Sequence, residues 1–352
     1  MQKILLIAVT LLYAGLFPQS QAQKIDEVKF FEEDSIVNAN LAMDISKFIK
    51  SSSKPAYMPA TFTCTIADST ISEEIRIEAR GHVRRQICYM PPIKMNFHNS
   101  TSPKLYPLNS LKLVCSCKPG EEYDQLLLKE YLIYKIYNLL TEKSFRVRLL
   151  SLRFQDSKGN KKDMNQHAFL IESTKEMAKR NKCREFNNNK INTENTNREQ
   201  MTIVALFEYM IGNTDWSVPG GHNTVLIQPK NDSTARPIVI GYDFDYSGFV
   251  NADYAVPTEE LGLENVRQRM YRGFPRTPDE LNVAITIFNN RKDSIYSLVN
   301  NFNLLTKRNR DDIIQFSPSH PTRSFSTVAV GCIFYLAGME TKTITSTYSS
   351  IA

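Results

Sequence analysis

The stretch from Ile211 to Gly248 decides how this chain is read. It runs I-G-N-T-D-W-S-V-P-G-G-H-N from Ile211 to Asn223 and T-V-L-I from Thr224 to Ile227. After a turn come P-I-V-I-G from Pro237 to Gly241 and Y-D-F-D-Y-S-G from Tyr242 to Gly248. The two apolar runs, joined through Lys230-Asn231-Asp232-Ser233, read as a β-hairpin. A hairpin brings its outer ends together, so Asn223 and Asp243 are expected to be neighbours, with Asp215 in the preceding loop. Asp243 and Asp245, two apart on a strand, point the same way. Like charges that close cost energy unless a cation or donor groups compensate. Carboxylate and carboxamide oxygens are hard ligands suited to Mg²⁺. Asp and Asn are also common turn residues, and a single N-T-D or G-Y-D is as easily a capped turn. Carboxylates placed directly after an apolar strand favour the cation or phosphate site.

Outward from this stretch, Glu199–Ile211 is an apolar helix that delivers the chain into the Asp215 loop. Upstream the pattern is β-like. Thr61–Ile66 and Glu74–Ala79 alternate, Ile93–Phe97 and Leu111–Val114 are short strands, and Phe145–Phe154 and Gln166–Glu172 follow. Between them, Asp124 is placed to cap a helix over Gln125–Leu140, whose stripe runs Leu127, Leu128, Tyr131, Leu132, Ile136 and Leu139. A shorter helix covers Thr174–Asn181, and an Asn-rich surface loop covers 182–197. Downstream, helices are expected over Pro278–Asn289 and Ile295–Leu305. The first has a strong start signal: Thr277 as N-cap, Pro278 at the first turn and Glu280 completing a capping box.

The ends and the bulk composition narrow the class. Lys3, the apolar run Ile4–Phe17, and Ser20 and Ala22 before Gln23 form a secretory signal peptide over residues 1–22. The run is short for a membrane anchor, which takes about 20 residues, and no later segment is long and apolar enough to span. Residues 23–56 read as an N-terminal extension, 57–318 as the main domain and 319–352 as a Ser/Thr-rich tail. Of 352 residues, 43 are Lys or Arg and 37 Asp or Glu, a net charge of +6 with no basic block or aromatic-basic ladder. That argues against nucleic acid as partner. Six cysteines are few for this length. A secreted chain pairs some of them, in a connectivity that sequence does not give. There is no G-x-S-x-G elbow, zinc spacing or Walker loop.

Protein kinases build their centre on a comparable plan, with a base Asp and a metal-binding Asn in a loop and a metal-binding Asp after a strand. Four segments are together similar to the CotH family of secreted and spore-coat kinases. They are Arg80-Gly81-His82 with Lys94-Met95-Asn96-Phe97; Asp124 with its long helix; Ala168–Glu172 with the helix ending in Lys179-Arg180; and Asn213-Thr214-Asp215…His222-Asn223 with Tyr242-Asp243-Phe244-Asp245. The resemblance covers about residues 75–290. It implies an α+β, bilobed, atypical protein-kinase-like fold, with a β-rich N-terminal lobe and a mainly helical C-terminal lobe. It also implies ATP and Mg²⁺ (or Mn²⁺) as cofactors and a hydroxyl on a protein or small molecule as acceptor. Asp215 becomes the catalytic aspartate, Asn223, Asp243 and Asp245 the metal ligands, and Glu172 an organiser of the nucleotide side. The sequence departs from the family in the inserted Pro219-Gly220-Gly221, in Tyr242 where the family has Trp, and in the phosphate-binding lysine. Lys182 and Lys190 are the candidates for that lysine, with Lys94 and Lys112 as strand-borne alternatives.

Three functions follow in order: a secreted Mg²⁺-dependent phosphotransferase at the periplasm or cell surface; a catalytically degenerate binding or envelope-structural protein; and a two-metal phosphoester hydrolase. His167, in a strand, is expected to be a packing or surface histidine. Arg267, Arg269 and Arg272 form either a phosphate-binding group or a solvated face. Trp216 is either a substrate platform or loop packing.

Overall fold

The computed structural model describes residues 30–316 except 67, 82, 103–104, 106–107 and 188–190. The expected signal peptide, the tail, His82 and Lys190 lie outside the described residues. In chain order the elements are β1 (Val37–Met43), α1 (Ile45–Ser51), β2 (Met58–Ile66), β3 (Ser69–Ala79), α2 (Arg84–Ile87), β4 (Ile93–Asn96) and β5 (Ser110–Cys115). Then come α3 (Glu121–Leu140), β6 (Val147–Asp156), β7 (Met164–Ile171), α4 (Thr174–Arg180), β8 (Cys183–Glu185) and α5 (Arg198–Ile211). The hairpin β9 (Thr224–Pro229) and β10 (Ile238–Gly241) precedes α6 (Pro278–Asn301) and α7 (Lys307–Phe316).

The expected bilobed kinase-like fold is not what forms. The first seven strands close into a barrel, in the order β1-β2-β3-β4-β5-β7-β6. Closure comes from β1, which pairs antiparallel with β2 and parallel with β6, Val37↔Leu150 through Met43↔Asp156. The expected lobe is an open β-rich sheet, and β1, by bridging β2 and β6, closes it. The strand lies in the stretch read as an N-terminal extension.

The barrel interior is filled by Leu41, Phe62, Ile77, Met95, Phe97, Leu113, Leu152, Phe154 and Leu170 among others. A second core lies outside it. Strands β5, β6 and β7 turn Val114, Leu149, Phe169 and Ile171 outward against α3 and α5 and the sheet β10-β9-β8. Strands β5, β6 and β7, contributing side chains to both clusters, join the two cores. The C-terminal part is likewise a helical layer over a three-stranded sheet. Helix α3 lies across the join, with Tyr134, Phe169, Phe207 and Phe244 in mutual edge contacts within its aromatic centre.

Local signals are realised with small shifts. Helix α6 starts at the reciprocal Thr277–Glu280 capping box and continues unbroken to Asn301, merging the two helices expected there as far as that residue. Helix α3 starts earlier than read, at Glu121 after Gly120, whose φ of 121° suits glycine. Asp124 is therefore not its cap. Its carboxylate accepts from the His167 amide at 2.7 Å and meets His167 Nδ1 at 2.6 Å. Among the described residues one disulfide, Cys88–Cys117, ties α2 to the end of β5, and Cys64, Cys115 and Cys183 are buried thiols outside it.

Candidate functional site

The hairpin forms in the expected register, with Gly241 opposite Thr224 and Ile238 opposite Ile227. It delivers Asn223 and Asp243 to one end, where the Tyr242 amide donates to the Asn223 carbonyl at 3.0 Å. Both Asn223 and Asp243 have left-handed backbone, φ 51° and 66°. Such φ values are uncommon outside glycine, though Asn and Asp tolerate them best. They take Asp243 out of the strand, so strand alternation no longer aims it. The Tyr134 hydroxyl on α3 instead accepts the Asp243 amide at 2.9 Å.

The Asp215 loop is closed on itself. Ser217 and His222 exchange backbone hydrogen bonds at 2.9 Å each, so the Pro219-Gly220-Gly221 insertion forms a tight turn. His222 Nε2 lies 2.8 Å from Asp215 Oδ1. Asn223 Nδ2 donates to Asp215 Oδ2 at 3.0 Å and to its carbonyl at 2.7 Å. With the amide of Asn223 turned toward Asp215, its carboxamide oxygen is left for another partner. The Asp215 amide donates to Asn213 Oδ1 at 3.0 Å, and Asn213 Nδ2 donates to Glu208 Oε2 at 2.9 Å. Burial pushes Glu208 up to about 8.

Behind Asp243 lies a buried charge network. Asp245 is 5% exposed, accepts from the Tyr254 hydroxyl at 3.1 Å and lies 3.6 Å from Arg84. Arg84 also lies 3.7 Å from Glu130 and donates to the Cys115 carbonyl at 2.7 Å. Burial pushes Asp245 up to about 6, with Arg84 opposing and the Asp243 charge adding to the rise. Burial raises Glu130 as well, with the Asp245 charge next. Its Oε1 is buried without a partner. Among the described residues no group donates a hydrogen bond to the Asp243 carboxylate.

The lysine that meets this cluster is Lys112 on β5. Its ammonium sits 3.8 Å over the Tyr242 ring. Burial lowers it to about 8; Arg80 pushes the same way and Asp243 opposes. Arg80, whose Nε is buried without a partner, completes the basic side. The other lysines read from sequence are placed elsewhere. Lys94 stands directly opposite Lys112 on β4, but its amine goes 5.5 Å over Tyr57. Lys182 lies at the Pro229 end of β9. That is roughly 17 Å along the strand from Thr224, at 3.3 Å per residue. Glu172 is committed to Arg180, at 2.9 and 3.2 Å, and to the Arg146 amide at 3.1 Å.

Arg84, Glu130, Tyr134 and Tyr254 were not picked out as site residues. Glu130 carried a signal, being a carboxylate inside the apolar stripe of α3. Trp216 is buried with Arg272 5.4 Å from its ring, which makes it loop packing. Arg267 pairs with Asp312, Arg269 stacks on Phe316, and Arg272 caps the Thr214 and Trp216 carbonyls, so the three arginines brace loops.

No protein-family model matches this chain, and no curated protein matches it.

The donor set fits a hard divalent cation in its chemistry. It offers the Asp243 carboxylate, with no hydrogen-bond donor among the described residues, the Asn223 carboxamide oxygen turned away from Asp215, and an Asp245 raised by burial, with the Asp243 charge adding to the rise. Among the described residues no three His, Cys, Asp or Glu side chains could hold a metal by themselves, so Asn223 is needed to complete such a set. No helix among the described residues is long and apolar enough to cross a membrane.

Proposed function

We propose that the hairpin end is a phosphoryl-transfer site, moving phosphate from a nucleotide such as ATP to a hydroxyl of a protein or small molecule. One observation carries the reading. Asp243, a carboxylate to which no group among the described residues donates a hydrogen bond, shares its electrostatic surroundings with two half-buried cations, Lys112 and Arg80, beside an Asp215 that is oriented by three separate contacts. Phosphoryl transfer needs charge neutralisation and a positioned hydroxyl more than covalent chemistry.

Asn223 and Asp243, with Asp245 behind them, would hold Mg²⁺ or Mn²⁺. When bound, the cation neutralises phosphate charge. Lys112 and Arg80 hold phosphate oxygens from the barrel side. Asp215 orients the acceptor hydroxyl and takes up its proton, with His222 and Asn223 fixing the carboxylate. The similarity to CotH kinases in these motifs supports the assignment of roles. The reading rests on the cluster itself and not on a bilobed architecture. The Cys88–Cys117 disulfide supports export to an oxidising compartment, at the periplasm or cell surface.

One feature favours the degenerate alternative, a binding or envelope-structural protein. Asp245 is already committed to Arg84 and Tyr254, which leaves fewer oxygens for a cation. Thermal shift with ATP and Mg²⁺ or Mn²⁺, on the protein and on Asp243→Asn, separates the readings. A metal-dependent rise in melting temperature that Asp243→Asn abolishes supports a nucleotide site. No rise with any nucleotide, with both proteins folded, removes it.

A further inference from the structure

A second site lies away from the carboxylate cluster, in a cavity of about 580 Å³ between the barrel wall and the segment leading into α3. That volume is typical of small-molecule sites, which span about 300–1,000 Å³. Its floor is the outward face of β6 and β7, where Ser151 stands directly opposite His167. Its rim carries Tyr89 and Met90 on one side of the disulfide and Ser116 on the other.

Three features point to a ligand. Ser116 is 3% exposed and its hydroxyl has no partner, although the residue lines the cavity. A buried unpaired hydroxyl is costly, and a ligand oxygen or a water would satisfy it. His167 is fixed by two contacts to Asp124, which leaves its second ring nitrogen to serve the cavity. Tyr89 is 39% exposed, an apolar ring with no core to fill. The disulfide and the Tyr89 amide bond to the Cys117 carbonyl, 2.8 Å, hold this wall in place before anything binds.

The lining selects the ligand class. Its ionisable groups are Glu121, Asp124 and Asp163 against Lys118, with His167 in addition. Asp163 is paired with Arg153, and Lys118 with Tyr123 and Asp253. The balance repels anions. The remaining polar groups, Asn165, Gln166, Ser116 and Ser151, are neutral donors and acceptors suited to hydroxyls. A ring face at the rim with neutral hydrogen-bonding groups below suits a pyranose.

We propose that this cavity binds a neutral saccharide, with Tyr89 as stacking platform and Ser116, His167 and Asn165 reading its hydroxyls.

The test is saturation-transfer NMR followed by calorimetry on the full chain. The probes are methyl glucoside, N-acetylglucosamine and maltose, with choline and spermidine as cationic probes. The expected result is saturable binding of at least one sugar. Tyr89→Ala should weaken it about tenfold or more, and Ser116→Ala roughly two- to tenfold, the scale of one hydrogen bond. Circular dichroism melts verify that both variants fold, and His167→Gln gives a second reading from the floor. Binding of the cations in preference to the sugars overturns the proposal. So does sugar binding unmoved by Tyr89→Ala and His167→Gln, or no saturable binding of any sugar.

Discussion

Lys94 and Lys112 show at the scale of single residues where sequence reading stops. They face each other across β4 and β5, in strands of the same alternating pattern. Only the tertiary position of Tyr242 and Asp243, 130 residues further on, distinguishes them. Asp215, Asn223 and Asp243 were legible because a hairpin is local and its ends meet by construction. Arg84 and Tyr254 were not, since nothing nearby in sequence marks a partner for Asp245. The lowered Lys112 gives a test of the proposed site. With the folded amine at about 8 and the unfolded one near 10.5, the folded chain sheds its proton first. Nucleotide affinity should therefore fall as pH rises from 7 to 9, and the same charge loss should relieve a burial penalty. Stability rises between the two pKa values, because the unfolded chain binds more protons there. Titration of Mg²⁺-ATP at both pH values checks the first statement, and Lys112→Met should remove the pH dependence along with most of the affinity.

Glu208 behaves in the opposite sense. Its folded pKa of about 8 lies above the ordinary carboxyl value of 4.5, so the folded chain holds a proton that the unfolded chain releases. Stability should fall as pH rises from about 5 to 8 and then level off. Glu208→Gln keeps an oxygen for Asn213 Nδ2 and removes the ionisation. The expected outcome is a melting temperature less dependent on pH, with the variant the more stable protein at pH 8. Equal slopes for variant and wild type between pH 5 and 8 would show that Glu208 is not buried in its neutral form.

At the scale of elements, termini and covalent ties carry the predictions. Helix α6 begins at a complete capping box, so Thr277→Ala should cost about 1 kcal/mol, read by denaturant unfolding. Helix α5 ends at Gly212, with φ 65° and Phe316 2.8 Å from where a Cβ would stand. Gly212→Ala therefore meets both backbone strain and a ring on α7, and should cost more than the Thr277 change. The Cys88–Cys117 bridge closes a separation of 29 residues. Chain-entropy reasoning puts its loss at roughly 3–4 kcal/mol, measured on the double Cys→Ser variant. Element identities were readable where periodicity was strong, as in α3 and α6, and in α6 the cap agreed as well. Asp124 misled because a helix-capping residue type sat in the first turn while its carboxylate was engaged by His167.

At the scale of the molecule, the barrel is what sequence did not disclose. Its closure depends on β1 meeting β6 in parallel, with about 113 residues between partners such as Val37 and Leu150. Parallel partners far apart leave no turn signature between them, and β1 reads V-N-A-N-L-A-M, with small and polar residues interrupting its apolar ones. Removing residues 30–43 should therefore unfold the protein and not merely shorten it. Hydrogen exchange on the truncated chain would test this, and protected amides in β2 and β6 would contradict it.

Closure has a bearing on how copies of this chain treat one another. A closed barrel offers no row of unpaired amides and carbonyls to a second molecule, and open edges are the usual templates for fibrous assembly. Among the described strands only the three-stranded sheet has edges. One is β10, entirely buried and covered by α5. The other is β8, three residues long, with Arg184 and Glu185 exposed along it. A short charged edge and a covered one are both poor nuclei for strand-to-strand growth, so the folded form should stay monodisperse at high concentration for as long as β1 holds the barrel shut.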